Sequence, residues 1–320
     1  MPVNDRPILI VDGLNVFIRH FIANPTISSK GESAGGIVGF MKNLQNVVEL
    51  TFPGKVIIAW EGGGSSRRRQ IFPEYKEKRR PETLNRFYED DIPNTVENRD
   101  WQLINLIALL KNTPVHQVYV ENCEADDVIG YICGRMHQGS KKIILTSDRD
   151  LYQLISPDVR VFSTNRKCFV TESDVMEQFG MKTNNFCLAK AISGDPSDNI
   201  PGIDGVSFKS LAKKFPEFSS VDDLTVDWIV SEAANRAANS AAKIFSKIVE
   251  GEGTIRRNWR LMHLDTSNLS ASQIKKIEYV IDSIEVKRDK MGFLRGIVKN
   301  GLGSFDADRF LFTLGCIPTK

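Results

Sequence analysis

Long apolar runs are missing from this chain of 320 residues. None approaches the ~18 residues that a membrane-spanning helix requires. The start, Met1 to Pro7, lacks the charged, then apolar, then small-residue order of a signal peptide. The expectation is a cytoplasmic protein. Cysteine and histidine are scarce. The five cysteines (Cys123, Cys133, Cys168, Cys187, Cys316) are scattered, odd in number and form no CxxC, which fits reduced thiols rather than a disulfide framework. The four histidines (His20, His116, His137, His263) form no HExxH and pair with no cysteine, which argues against a zinc site. No GxxxxGKS/T occurs, which disfavours a nucleoside triphosphatase. Net charge is only +2, so any surface for a polyanion must come from local segregation of charge. There is no internal repeat and no low-complexity tract.

What is present is a globular composition, 41% apolar and 26% charged, at a length suited to one large domain or two ordinary ones. Short continuous apolar runs predict buried strands at Ile8–Val11, Lys55–Trp60, Val115–Val120 and Lys142–Thr146. Helical spacing separates them at Asn15–Ala23, Ile37–Leu50, Trp101–Leu110 and from the acidic cluster at Glu124 to about His137. Alternation of this kind implies a mostly parallel α/β sheet flanked by helices. Segments around Val159–Ser163 and Cys168–Val170 suggest a hairpin. After about residue 171 the periodicity is mainly helical, so a boundary is drawn between residues 1–183 and 184–320. Gly251–Thr254 reads as a linker inside the second part, and Gly62–Ser66 as a flexible stretch inside the first.

Three carboxylates stand within four residues at Glu124, Asp126 and Asp127. A helix start would account for them by dipole complementarity. Yet Asp12, Glu61, Glu124 and Asp148 each close a predicted strand, and ligands of open α/β sheets bind outside the carboxyl ends of the strands. With parallel strands these four and Asp126, Asp127 and Asp150 share one edge. So many carboxylates need cations, and oxygen-only ligands suit magnesium or manganese. The usual chemistry of such sites is phosphoryl transfer, in which two ions activate a water and stabilise the leaving oxygen.

Residues 62–86 hold eight basic residues (Arg67, Arg68, Arg69, Lys76, Lys78, Arg79, Arg80, Arg86) against three acidic ones, with Phe72, Tyr75 and Phe87 interleaved. A solvated basic face would explain the charge; aromatic interleaving also suits a groove for single-stranded nucleic acid. Farther on, Gly202 and Gly205 flank a tight turn, followed by Lys209, Lys213 and Lys214. Backbone N–H groups there can hold a phosphate, and the lysines add charge. Asp195 and Asp198 lie just before, within reach of the same acidic edge.

Together these motifs resemble the structure-specific 5′-nucleases: flap endonucleases, the 5′-nuclease domain of bacterial DNA polymerase I, and phage exonucleases of ribonuclease H type. Asp12 matches the family's first acidic site, Glu124, Asp126 and Asp127 its Glu-Ala-Asp-Asp signature, Asp148 and Asp150 its Asp-x-Asp, and Asp195 and Asp198 its last acidic pair. Tyr75, Lys76 and Arg79 resemble the base of its helical arch. The resemblance covers residues 8–215. It implies a PIN-like nuclease core with a basic arch around 62–98, and a helical C-terminal region with a helix-hairpin-helix-type DNA-binding motif at 194–214. Two departures stand out. Glu61 replaces the usual aspartate, and Ser207 a frequent third glycine, which serine fills only with a negative φ.

The resemblance implies hydrolysis of a phosphodiester at or near a 5′ end, in replication or repair. Two magnesium ions, or manganese in their place, would be held by Asp12, Glu61, Glu124, Asp126, Asp148 and Asp150, with Asp127, Asp195 and Asp198 acting directly or through water. Glu124 and Asp126 are expected in direct contact, and Asp127 in an outer role. Lys76 and Arg79 would stabilise phosphoryl charge and Tyr75 would stack on a base. Arg67, Arg68, Arg69 and Arg80 would line the arch, and the hairpin would grip duplex DNA around a potassium ion. The implied substrates are branched or nicked duplex DNA with a 5′ flap, or an RNA–DNA hybrid, taken by a monomer. Contact with a single-strand-binding protein or a replication clamp has no motif behind it. The competing readings are a single-strand ribonuclease on the same scaffold and an inactive DNA-binding module. Val280–Val286 and Phe305–Leu314 are expected to pack a core.

Overall fold

The computed structural model describes residues 6–77 and 96–319. The first part runs β1 (Ile8–Asp12), α1 (Gly13–Ala23), α2 (Gly35–Thr51), β2 (Lys55–Trp60), α3 (Ser66–Ile71), α4 (Val96–Leu110), β3 (His116–Tyr119), α5 (Ala125–Arg135), β4 (Lys142–Thr146), β5 (Val159–Ser163) and β6 (Cys168–Val170). Then come α6 (Glu172–Phe179), α7 (Phe186–Ser193), a ribbon of β7 (Gly194–Asp195) and β8 (Ile200–Pro201), α8 (Phe208–Lys214), α9 (Glu217–Ser220), α10 (Val226–Asn239), α11 (Lys243–Glu250), α12 (Glu252–Met262), α13 (Ala271–Glu278), α14 (Lys290–Lys299) and α15 (Ala307–Gly315). Among the described residues no helix is long and apolar enough to cross a membrane.

The main sheet has the order β3-β2-β1-β4-β5-β6. Strands β1 to β5 pair in parallel, and β6 closes the edge antiparallel to β5. The strand order reverses at β1, between β2 and β4, which opens a crevice at the carboxyl edge. Each apolar run serves both faces, because successive side chains alternate. Ile8, Ile10, Ile57, Ala59 and Ile144 join one core with α5 and α7. Leu9, Val11, Ile58, Ile143 and Leu145 join another with α1, α2 and α4.

Both cores draw on residues from either side of residue 183. Phe293, Ile297, Phe305, Phe310 and Leu314 of the last helices pack in the same cluster as Leu9 and Val11. The change near residue 183 is therefore one of element type, without a break in the packing. Two loop expectations also change. Gly251 is no linker: it joins α11 directly to α12, and a Cβ there would come within 2.1 Å of Ile203. Gly62–Ser66 is an ordered turn. Gly62 donates to the Cys123 carbonyl at 3.0 Å, and Ser65 caps α3. A Cβ on Gly62 would lie 1.7 Å from the Val120 carbonyl oxygen, so only glycine passes there.

Candidate active site

Because β1 to β4 are parallel, their carboxyl ends carry Asp12, Glu61, Glu124 and Asp148 to one edge of the sheet. Asp12, Glu61, Asp126 and Asp148 line a cleft of ≈ 460 Å³ with Lys76 and Arg19. Asp12 caps α1 and accepts a bond from Thr146 Oγ1 at 2.8 Å. Glu61 accepts from the N–H groups of Gly64 at 3.0 Å and Ala125 at 3.3 Å. Glu124 is the N-cap of α5, with extended backbone, so it precedes the first turn. Asp148 accepts the Asp150 N–H at 2.8 Å.

Burial and crowding raise four carboxyls of this cluster, Asp12, Glu61, Asp126 and Asp150. Burial pushes Asp12 up to about 7, with Asp148 and Glu61 adding repulsion against the bonds from Thr146 and Asn15. Asp126 rises well above the usual range, by burial and then by the charges of Asp148 and Asp12. Burial and Asp148 push Asp150 up to about 6 against the pull of Lys190. Glu61 rises through burial and Glu124. Glu124 goes the other way. Burial would raise it, but the charges of Lys76 and Arg68 hold it below its ordinary value.

These residues fit divalent cations. The donors are carboxylate oxygens, which suit hard ions. Glu124 Oε1 is buried with no hydrogen-bond partner. Oxygens of Asp150, Asp195 and Asp198 lie within 4.8 Å of one another. A pH signature follows. A raised carboxyl pKa opposes folding fully above the folded value, and the cost is relieved as pH falls toward the unfolded value of 3.8. Ion-free protein in a chelator should therefore melt several degrees lower at pH 8 than at pH 6. Saturating magnesium should raise the melting temperature more at pH 8. Equal magnesium shifts at both pH values would contradict the assignment.

Several side chains stand elsewhere than the sequence suggested. Arg68 is not on a DNA-facing surface. Its guanidinium is buried and bidentate to Asp127, at 2.5 and 2.8 Å, and its Nε donates to the Leu261 carbonyl at 2.6 Å. Asp127 also accepts from Asn268 Nδ2 at 2.9 Å, so its oxygens are committed to protein donors. Tyr75 does not offer its ring to a base. It is 6% exposed, packed with Ile71, Cys187, Ile200 and Leu261. Its hydroxyl donates to Glu124 at 3.0 Å and Asp198 at 3.3 Å. Lys76 sits above that ring, with Nζ 3.0 Å from Glu124 Oε2. It adopts a left-handed backbone, φ 59°, and its N–H donates to the Asp198 carbonyl at 2.9 Å. Strained backbone of this kind is held only where surroundings over-determine it.

Arg67 donates to the Arg260 carbonyl, and Arg69 is exposed. Arg79 and Arg80 lie outside the described residues. Asp195 and Asp198 flank a short turn between β7 and β8, docked on the Glu74–Lys76 backbone through Asn199 and Asp198. Gly202, Gly205, Lys209, Lys213 and Lys214 lie in and after the next turn, and the three lysines are exposed. Ser207 caps α8 at φ −125°, so serine fits where a third glycine often stands.

Lys190, in α7, escaped notice in the sequence. Its Nζ donates to Asp150 and, at 2.7 Å, to Asp195. The available signal was a single charge in an otherwise apolar helix, Phe186–Ser193. Asn268, which braces Asp127, carried no such signal.

A parallel sheet with carboxylates along its carboxyl edge and a lysine bonded among them is a site suited to metal-assisted phosphoryl chemistry. Residues 7–180 match the model of the 5′-3′ exonuclease N-terminal resolvase-like domain, and the chain belongs to that family. It is 26% identical over 225 residues to a 5′-3′ exonuclease of Buchnera aphidicola from Acyrthosiphon pisum, covering 69% of this chain and 74% of that one. It is 29% identical over 235 residues to DNA polymerase I of Bacillus caldotenax, covering 71% of this chain and 25% of the polymerase. Among solved structures, the T5 5′-exonuclease with bound divalent metal ions (zinc) shares the fold at a TM-score of 0.67 and 22% identity, covering 92% of this chain and 100% of that one.

Proposed function

We propose that this 5′-nuclease hydrolyses phosphodiesters at or near 5′ ends of flap or RNA-primed duplex DNA and leaves 5′-phosphate products. The carrying observation is the convergence of Asp12, Glu61, Asp126 and Asp148 with Lys76 on one cleft. Two magnesium ions, with manganese as substitute, would be held by Asp12, Glu61, Glu124, Asp126, Asp148 and Asp150, and by Asp195 and Asp198 at the far end. When bound, such ions lower the pKa of water and neutralise charge on the phosphoryl group.

The chain's own residues supply the rest. Lys76 is kept protonated: burial opposes its charge, but Glu124, Asp198 and Asp126 outweigh it. Its ammonium borders the cleft and can stabilise negative charge developing on phosphoryl oxygens. Tyr75 orients Glu124 and Asp198 through its hydroxyl. Arg68 and Asp127 fix α3 against α5, at the start of the basic segment. The turn at Gly202–Gly205 and the exposed Lys209, Lys213 and Lys214 suit the backbone of a duplex, with potassium in the turn. Such contacts read shape rather than sequence.

An end-labelled 5′-flap duplex tests this reading. Magnesium-dependent cuts near the flap junction, with 5′-phosphate ends, are expected. Plain single-stranded RNA should remain uncut under the same conditions. Preferential cutting of that RNA would favour a single-strand ribonuclease, and binding of flaps without cutting in magnesium or manganese would indicate an inactive site.

A further inference from the structure

We propose that Lys190 is a built-in counter-ion: its ammonium occupies the Asp150–Asp195 end of the carboxylate cluster and must yield before a divalent ion can take those oxygens. The proposal rests on the reading of the cluster as a cation site.

Lys190 lies in the second half of α7 and is its only charged residue. Its neighbours Phe186, Cys187, Leu188, Ala189, Ala191 and Ile192 are buried. The lysine side chain itself is 13% exposed. A lysine so placed needs opposite charge beside it, and two carboxylates face it. Its Nζ bonds Asp150 Oδ1 and, at 2.7 Å, Asp195 Oδ2. Asp150, Asp195 and Asp198 each offer an oxygen within 4.8 Å of the others, a span that one hard cation can bridge.

The two ends of the cluster therefore differ. Among the described residues, no lysine or arginine is bonded to Asp12, Asp126 or Asp148. There, no bonded cation relieves the mutual repulsion, and Lys76 eases Asp126 only through its nearby charge. At the other end one ammonium already bridges two carboxylates and offsets one of their charges, and an ion must break both bonds to bind them. Metal affinity follows the number of free anionic ligands. The Asp12 end should fill first, and the Asp195 end only at higher ion concentration. Lys190 also keeps Asp150 and Asp195 together in the empty enzyme, where their charges would otherwise drive them apart.

Calorimetric titration of the full chain with manganese, without DNA, decides the matter. Wild-type protein should show a tight phase and a weak phase. In Lys190→Met the weak phase should tighten by about tenfold or more, since one competing charge is gone, while the tight phase stays put. Lys190→Arg should keep the weak phase weak. In a chelator Lys190→Met should melt below wild type, and manganese should raise its melting temperature by more. Lys190→Gln, closer in polarity, is read by the same titration should the methionine variant fold poorly. An unchanged or weakened second phase in Lys190→Met or Lys190→Gln overturns the counter-ion role. A wild-type chain that binds no manganese overturns the cation-site reading itself, which separates the two failures.

Discussion

Asp126→Asn should lower magnesium-dependent cleavage by at least about a thousandfold, on the order of 4 kcal/mol of barrier, while flap binding in a chelator stays intact. The same substitution should raise the melting temperature of the ion-free protein. Asp126 is pushed well above its ordinary range by burial and by Asp148 and Asp12, so its charge opposes folding. The amide is nearly isosteric and removes that repulsion, but it offers an ion a neutral oxygen in place of an anionic one. Opposite signs for stability and activity are what a strained ligand cluster produces. A structural aspartate would lose both together. Cleavage within a few fold of wild type would remove Asp126 from the site.

Arg68→Ala should destabilise the chain by about 3–5 kcal/mol in urea unfolding, the cost of leaving one member of a buried pair uncompensated. Asp127 is 4% exposed, and Asn268 would be its remaining side-chain donor of those that bond it here. The figure is the penalty for breaking the pair, not its net worth against an apolar core. For the same reason Arg68→Ala combined with Asp127→Ala should cost less than the sum of the two single changes. Glu124 also loses a neighbouring charge 3.4 Å away, so cleavage should fall with stability. A loss below about 1 kcal/mol would mean that solvent reaches Asp127 and that the clasp is incidental.

The acidic edge was legible because it depends on local order. Asp12, Glu61, Glu124 and Asp148 each follow a short apolar run, and alternation of strands with helices makes those runs parallel. Once they are parallel, residues at the ends of different strands meet without further information. Glu124 was likewise readable as the residue before a helix, and it is the N-cap of α5. The basic segment was less transparent. Arg67, Arg68 and Arg69 are indistinguishable in a row, yet Arg68 is the one turned inward, because α3 packs against α5 and α12 on that side. Tyr75 looked like a stacking platform, since aromatic residues among cations suit single strands. Its hydroxyl instead finds Glu124 and Asp198, groups 49 and 123 residues away in sequence.

By itself, then, the sequence determined which carboxylates stand together and on which edge of which kind of sheet. That information lies in the period of the apolar residues and in the positions just after them. The tertiary structure alone decided how the charges are shared: Arg68 to Asp127, Lys76 to Glu124, Lys190 to Asp150 and Asp195. The physical reason is that a buried charge must find an opposite one. Which one it finds depends on helices packed from distant parts of the chain, not on the residues beside it.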